Sequence, residues 1–273
     1  MQRLWIITNP ASGSTSPSRC EEVRTLLEAN GDRIVGHTDF PMDDLPPQAL
    51  LRSEKVDTLV LFAGDGTINA AVCALAEWPG LMLILPGGTM NLLSKALHGD
   101  RDVREIIAAA DRRPVALPFI EAGSHRAFVG LILGPAAHWV RAREAARAGR
   151  ARRLLAAVRN AWQHTFARGI RLEGAAALRR RYQAVLARPV GDGIVLGAID
   201  ARDWRSIALL GWEWLTGDWM SAQAVSTERV QRFAVAGLRP ILALFDGEPV
   251  LLDPGITICA GMTAPRYIAT APL

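Results

Sequence analysis

Cysteine is scarce in this chain of 273 residues, and the three present, Cys20, Cys73 and Cys259, show no CxxC spacing. An odd, scattered set excludes a disulfide framework and a structural zinc site as the basis of the fold. No apolar run reaches the roughly 18 uncharged residues that a membrane-spanning helix needs. The first residues, MQRLWIITNP, come to an Asn-Pro turn before the core of a secretory leader could form, so a cytoplasmic protein is expected. Lysine is nearly missing: Lys55 and Lys95 stand alone in a sequence that carries its positive charge on arginine. Internal repeats and low-complexity tracts are lacking too, which excludes a solenoid and a disordered linker.

What is present is an ordinary globular composition, 50% hydrophobic and 21% charged, with apolar side chains enough for a sizeable core. The length favours two domains. The net charge of +4 is unevenly spread: from Arg141 to Arg188 there are 13 arginines against only Glu144 and Glu173. Such a block suits anionic lipid head groups or a polyanionic substrate, and equally a solvated surface. Nucleic acid is not expected, because the block lacks the interleaved aromatics of a single-strand site.

Residues 3–8, RLWIIT, form an apolar run ending at Asn9-Pro10 and predict a first buried strand. A small-residue loop follows, then a helical pattern through Val23, Leu26 and Leu27 that closes near Asn30-Gly31. Strands are predicted again at 33–38, 57–63 and 81–86, each followed by a helical pattern. This alternation, with strands apolar along their whole length, predicts a parallel sheet covered by helices on both faces. After about residue 114 the pattern changes to strand-like runs at 114–121, 126–133, 182–187, 193–199, 205–210, 222–226, 229–236 and 241–245. A helical stretch at 140–167 with a stripe of Leu155, Val158, Trp162 and Phe166 interrupts them. The expected architecture is therefore α/β: a parallel-sheet nucleotide-binding domain over residues 1–117, then an antiparallel β-sandwich-like domain over residues 118–273.

Three small-residue loops fall after predicted strands, at the carboxyl edge of the sheet where open α/β folds bind ligands. They are NPASGS at 9–14, AGDGTIN at 63–69 and PGGTMN at 86–91. A strand ending in Gly64-Asp65-Gly66-Thr67 and opening a helix aims backbone N–H groups and the positive helix end at one spot, which suits a triphosphate. Each motif alone also reads as a tight turn; three together at one sheet edge point to a phosphate-binding pocket.

In order and spacing these motifs resemble the diacylglycerol kinase catalytic family, which includes bacterial lipid kinases and sphingosine kinases. The carriers of the resemblance are Asn9-Pro10-Ala11-Ser12-Gly13, Ala63-Gly64-Asp65-Gly66-Thr67-Ile68-Asn69, Pro86-Gly87-Gly88-Thr89-Met90-Asn91 and, late in the chain, Asp246-Gly247-Glu248. The resemblance implies an ATP-dependent, Mg²⁺-assisted lipid kinase. Asn9, Ser12, Gly13 and Thr38 would line the nucleotide pocket. Gly64, Asp65, Gly66, Thr67 and Asn69 would hold the phosphates, with Gly88, Thr89 and Asn91 closing the pocket. Asp65 would act in catalysis, and Asp246 or Glu248 would be the general base on the acceptor hydroxyl, a device that a poor nucleophile needs. Asp192, in Asp192-Gly193, would be the Mg²⁺ ligand, although the same pair reads equally well as a hairpin turn. The implied partners are a lipid alcohol and, through the basic segment 141–188, the inner membrane surface; a homodimer is admitted.

The sequence departs from the family pattern in three places. Ala63 stands for the first glycine of the phosphate loop, Ala70 for the glutamate that often follows its asparagine, and Ala136 lies where the family often carries Gly-Phe-Asp-Ala. Two other readings follow from these losses: a kinase of a soluble acceptor, as in NAD kinases, and a nucleotide-binding module without catalysis.

Overall fold

A computed structural model of the protein describes residues 2–134, 169–182, 184–199, 225–264 and 266–271. The expected helical stripe at 155–166, the strands at 205–210 and at 222–224, Ala136 and residues 141–168 of the basic segment lie outside the described residues. The chain divides into two compact units, one of residues 1–117 with 262–273 and one of residues 118–261.

The first unit opens with β1 (Arg3–Thr8), α1 (Pro17–Ala29), β2 (Arg33–Asp39), α2 (Gln48–Ser53) and β3 (Thr58–Ala63). It continues through α3 (Asp65–Ala74), β4 (Leu81–Pro86), α4 (Leu92–His98), α5 (Val103–Ala108) and the short β5 (Arg113–Val115). Local signals set the helix starts. Ser16 caps α1, its hydroxyl accepting from the Arg19 N–H at 3.2 Å, with Pro17 in the first turn where no N–H is missed. Asp102 and Glu105 close a reciprocal capping box on α5, with bonds of 2.8 and 2.7 Å. Every residue of β3 is buried, as a strand covered on both faces requires. Ile6, Phe62, Leu83, Leu85 and Ile106 pack into one apolar cluster with Leu27 of α1.

The second unit begins with β6 (Pro118–Ala122), β7 (His125–Ala127), β8 (Leu131–Leu133), β9 (Arg171–Glu173), β10 (Ala184–Val190) and β11 (Gly193–Ile199). It ends with β12 (Val225–Val230), β13 (Arg232–Ala236), β14 (Ile241–Phe245), β15 (Glu248–Leu252) and β16 (Thr257–Met262). One sheet has the order β12-β11-β10-β8-β14-β15, the other β7-β6-β16-β13-β9. Their neighbours run antiparallel wherever the register is defined. Residues of both sheets, among them Leu131, Leu133, Val185, Leu196, Phe233 and Ile258, share a single apolar core, which is the sandwich expected from the sequence.

The structure differs from the sequence reading in two ways. The run 114–121 splits at Ala116-Leu117: β5 belongs to the first unit and β6 to the second. The C-terminal segment, expected in the second domain, returns to the first unit as β17 (Tyr267–Ala269), parallel to β4 and antiparallel to β5. Three residues are too few to show periodicity, so only the pairing reveals this strand. The first sheet has the order β2-β1-β3-β4-β17-β5. Its chain runs outward from β1 to β2, then crosses back to β3 on the other side. That reversal makes the β1/β3 boundary the topological switch point.

Candidate functional site

The loops after β1, β3 and β4 meet at the carboxyl edge of the sheet, at and beside the switch point. Side-chain hydroxyls and amides bind them to one another. Asn9 Nδ2 donates to Thr67 Oγ1 at 2.9 Å, and the Gly64 N–H donates to Ser12 Oγ at 3.1 Å. The Ser14 N–H donates to the Gly87 carbonyl at 3.3 Å, and the Ser14 hydroxyl donates to that of Gly88. Thr15 closes the first loop on itself through the carbonyls of Asn9 and Ser12.

Two glycines admit close approaches between the loops, Gly88 to backbone and Gly13 to a side chain. A Cβ on Gly88 would sit 2.7 Å from the Gly64 Cα, and one on Gly13 would sit 2.5 Å from Thr89 Oγ1. No L side chain tolerates the first distance without a shift of backbone, so the close approach of the β3 and β4 loops depends on Gly88.

Asp65 occupies the first turn of α3, yet its carboxylate serves another helix. Its oxygens accept from the Asn91 N–H at 3.0 Å and the Leu92 N–H at 2.7 Å. It thus supplies the cap that α4 lacks, for Asn91 sits in the left-handed region with φ 53° and spends its own amide oxygen on the Gly88 N–H at 2.7 Å. Burial raises the Asp65 pKa above the usual aspartate value, and the backbone N–H groups of Leu92 and Asn91 oppose that shift. The first turn of α3 has Gly64 as its N-cap with no side-chain bond, which leaves the amides of Asp65, Gly66 and Thr67 without intrahelical acceptors. Those amides and the positive helix end are what an oxyanion would meet.

The other predicted residues are distributed as follows. Thr89 is exposed, Gly66 and Asn69 are half-buried on the α3 side of the cluster, and the Cys73 thiol donates to Asn69 Oδ1 at 3.5 Å. Thr38 is buried, and its hydroxyl accepts from the Trp5 indole N–H at 3.0 Å. It acts as a packing partner between β1 and β2, not the pocket-lining residue that the resemblance implied. Its neighbours of opposite alternation, His37 and Asp39, make polar contacts to Thr8 instead. Ala63 is fully buried at the end of β3, opposite Pro86, so the missing family glycine is absorbed within the sheet. Sequence reasoning missed Ser14, Thr15 and Arg19. Arg19 reaches back from α1 to the Ser14 carbonyl at 2.8 Å, and only the density of Ser and Thr in residues 12–18 hinted at such stapling.

In the second unit, Asp246 and Gly247 make the two-residue turn between β14 and β15, both with positive φ (48° and 93°), as an Asp-Gly hairpin turn favours. Asp246 is buried, and its carboxylate accepts three backbone N–H bonds, from Phe128 at 2.8 Å, Val129 at 2.8 Å and Gly130 at 2.9 Å. Its own N–H donates to the Gly130 carbonyl at 3.0 Å. A carboxylate so engaged orders the β7–β8 connection, and three of its roughly four acceptor positions are spent on backbone N–H groups. Glu248, at the start of β15, is exposed. Asp192 lies in the two-residue turn Gly191-Asp192 between β10 and β11; its side chain is 82% exposed and ion-paired with Arg229 at 2.9 Å. Among the described residues no group of three or more His, Cys, Asp or Glu could hold a metal. Asp192 thus sits at a hairpin turn with its carboxylate in an ion pair.

Comparison with known proteins bears on the first unit. Residues 3–119 match the family model of the diacylglycerol kinase catalytic domain. A diacylglycerol kinase of Staphylococcus saprophyticus is 32% identical over 110 residues, which are 39% of this chain and 36% of that protein. One from Staphylococcus aureus strain MRSA252 is 31% identical over 106 residues, 37% of this chain and 34% of that protein. The chain thus spans about a third of the length of these curated relatives. The crystal structure of a diacylglycerol kinase from Bacillus anthracis superposes over 98% of this chain and 96% of that one, with a TM-score of 0.64 at 16% identity. That likeness is one of fold, and it extends to both units.

Proposed function

We propose, from the match of residues 3–119 to the family model of the diacylglycerol kinase catalytic domain, that the protein is an ATP-dependent kinase that transfers the γ-phosphoryl group to a hydroxyl of a lipid alcohol such as diacylglycerol. The observation that carries this reading is the interlocking of three glycine-bearing loops at the switch point. The first-turn amides of α3 lack intrahelical acceptors there, and a Cβ at Gly88 would clash with the Gly64 backbone. In this reading the first-turn amides of α3 take the nucleotide phosphates, Asn9, Ser12, Gly13 and Thr89 border them, and Asp65 keeps the β3 and β4 loops in register. Phosphoryl transfer needs little more from a protein than positioning and charge neutralisation.

Glu248 is the proposed general base, removing the proton from the acceptor oxygen as it attacks phosphorus and the bond to the β-phosphate oxygen breaks. Asp246 is a positioning residue in this scheme, since its oxygens are taken by the backbone of 128–130. Mg²⁺ would neutralise charge on the phosphates in this scheme, and no step is assigned to protein ligands for it.

The test is transfer of labelled γ-phosphate from ATP to diacylglycerol, monoacylglycerol, phosphatidylglycerol and sphingoid bases in mixed micelles, with NAD as a soluble acceptor in parallel. A labelled lipid that Glu248→Gln abolishes supports the proposal. Label on NAD alone replaces it with a soluble-acceptor kinase. ATP binding by calorimetry without any transfer replaces it with a non-catalytic module.

A further inference from the structure

Arg19 is a cation standing where its own helix disfavours one. It is the third residue of α1, and the positive end of the helix dipole opposes positive charge in the first turn. α1 has no offsetting gain. Its first turn holds no acid, and the N-cap bond from Ser16 takes the Arg19 backbone N–H, which almost any residue would offer. Among the described residues no carboxylate pairs with the Arg19 side chain; Glu22, one turn further on, is paired with Arg104. A residue that breaks a local rule without return to its own element points to a use elsewhere.

Two contacts locate its guanidinium. Nη1 donates to the Ser14 carbonyl at 2.8 Å, and the guanidinium carbon lies 6.0 Å from the centroid of the Phe62 ring. Ser14 belongs to the first loop, and its own N–H and hydroxyl donate to the carbonyls of Gly87 and Gly88. Phe62 lies in β3, two residues before Gly64, whose N–H donates to Ser12 Oγ. The cation is thus bonded to the first loop, one residue removed from the β4 loop, and packed on the strand that feeds the β3 loop.

The loops themselves supply no such charge. Residues 9–16, 63–69 and 86–91 contain neither lysine nor arginine, and Asp65 is their one ionisable side chain. A polyphosphate received there meets amides and hydroxyls, which carry no net charge. We propose, resting on the nucleotide reading above, that Arg19 is a specificity-determining residue of this site. Its clamp on Ser14 holds the first loop against the β4 loop, and its charge makes the cluster take a triphosphate in preference to a monophosphate. A guanidinium suits both tasks, since it stays charged and can lie over an aromatic ring while one nitrogen engages a carbonyl.

The test is calorimetry of the full chain with ATP and with AMP, in a chelator so that ATP keeps its full charge, at low and raised salt. Wild type should favour ATP, and the preference should shrink as salt rises. Arg19→Gln keeps a donor for the Ser14 carbonyl but loses the charge. It should weaken ATP binding about tenfold and AMP binding about twofold, so that the ratio falls about fivefold. Arg19→Lys keeps the charge and should hold the ratio within about twofold of wild type. Arg24→Gln removes the same charge from α1 at a position paired with Glu21 and should leave the ratio unchanged. Arg19 is exposed, so both of its variants should keep the wild-type thermal transition.

Equal losses of ATP and AMP affinity in Arg19→Gln would reduce Arg19 to a structural clamp and overturn the proposal. So would a ratio that no substitution moves, one that Arg24→Gln lowers equally, or no ATP binding in the chelator. Failure to bind nucleotide with Mg²⁺ present as well would overturn the kinase reading too. Phosphoryl transfer with a ratio indifferent to Arg19 refutes this inference alone. An Arg19-dependent ratio without transfer to any acceptor refutes the kinase reading alone.

Discussion

Replacing Asp65 tests the organisation of the first unit most directly, because one carboxylate caps a helix that is not its own. α4 has seven residues, too few to hold its shape without support from outside. The amides of its N-cap Asn91 and its first residue Leu92 depend on Asp65, through bonds of 3.0 and 2.7 Å. A hydrogen bond to a charged acceptor contributes about 1.5–3 kcal/mol, which sets an upper bound near 6 kcal/mol for the pair. Burial disfavours the charged form and raises the Asp65 pKa, so the net contribution is smaller, about 3 kcal/mol. Asp65→Ala should therefore destabilise α4 by about 3 kcal/mol and speed amide exchange across Leu92–His98 about a hundredfold. Asp65→Asn keeps one acceptor oxygen and should fall between the two, losing about 2 kcal/mol. Hydrogen exchange resolved by residue, with denaturant unfolding alongside, measures both. In the kinase assay Asp65→Ala should show no transfer. Protection of α4 in Asp65→Ala within about 0.5 kcal/mol of wild type would refute the trans-capping argument, and robust turnover in that variant would refute the role assigned to the loop.

Gly88→Ala should lower ATP affinity at least tenfold by calorimetry and cost about 1–3 kcal/mol of stability, since the new Cβ would lie 2.7 Å from the Gly64 Cα. Asp246→Ala should destabilise the second unit by about 3 kcal/mol or more in denaturant unfolding, because three buried or half-buried N–H groups lose their acceptor; Glu248→Gln should leave stability unchanged while abolishing transfer. His98 is buried, its Nδ1 lies 3.0 Å from Thr270 Oγ1, and burial lowers its pKa from 6.5 to about 4. The unfolded chain then binds the extra proton between pH 6.5 and 4, so stability should fall across that window as the pH drops, by about 3 kcal/mol in all. Comparing unfolding midpoints of wild type and His98→Gln at pH 7 and pH 4.5 checks this, and equal losses in the two proteins would exclude His98 as the source.

Much of the first unit was legible in the sequence because its signals are local. Short fully apolar runs such as TLVLFA, alternating with helical patterns, mark buried strands, and small residues after each strand mark the binding edge. The Asp-Gly pair at 192–193 likewise read as a hairpin turn through backbone preference alone. These features depend on neighbouring residues and on the period of the chain, which a sequence displays.

What the sequence could not display is which polar group spends its hydrogen bonds on which partner. Thr38 had the right position for a pocket, yet the Trp5 indole of the neighbouring strand donates to its hydroxyl. Asp246 and Glu248 are equivalent bases on paper, but three backbone N–H groups more than a hundred positions away engage only Asp246. Asp65 looked like a phosphate-side carboxylate and proved to be the cap of α4, and β17 joined the first sheet through a pairing no periodicity could reveal. Motif and pattern determined the layers and the edge where the loops gather. Long-range packing alone decided which partners Asp65 and Asp246 engage, because burial and hydrogen-bond competition depend on residues brought together only by the folded chain.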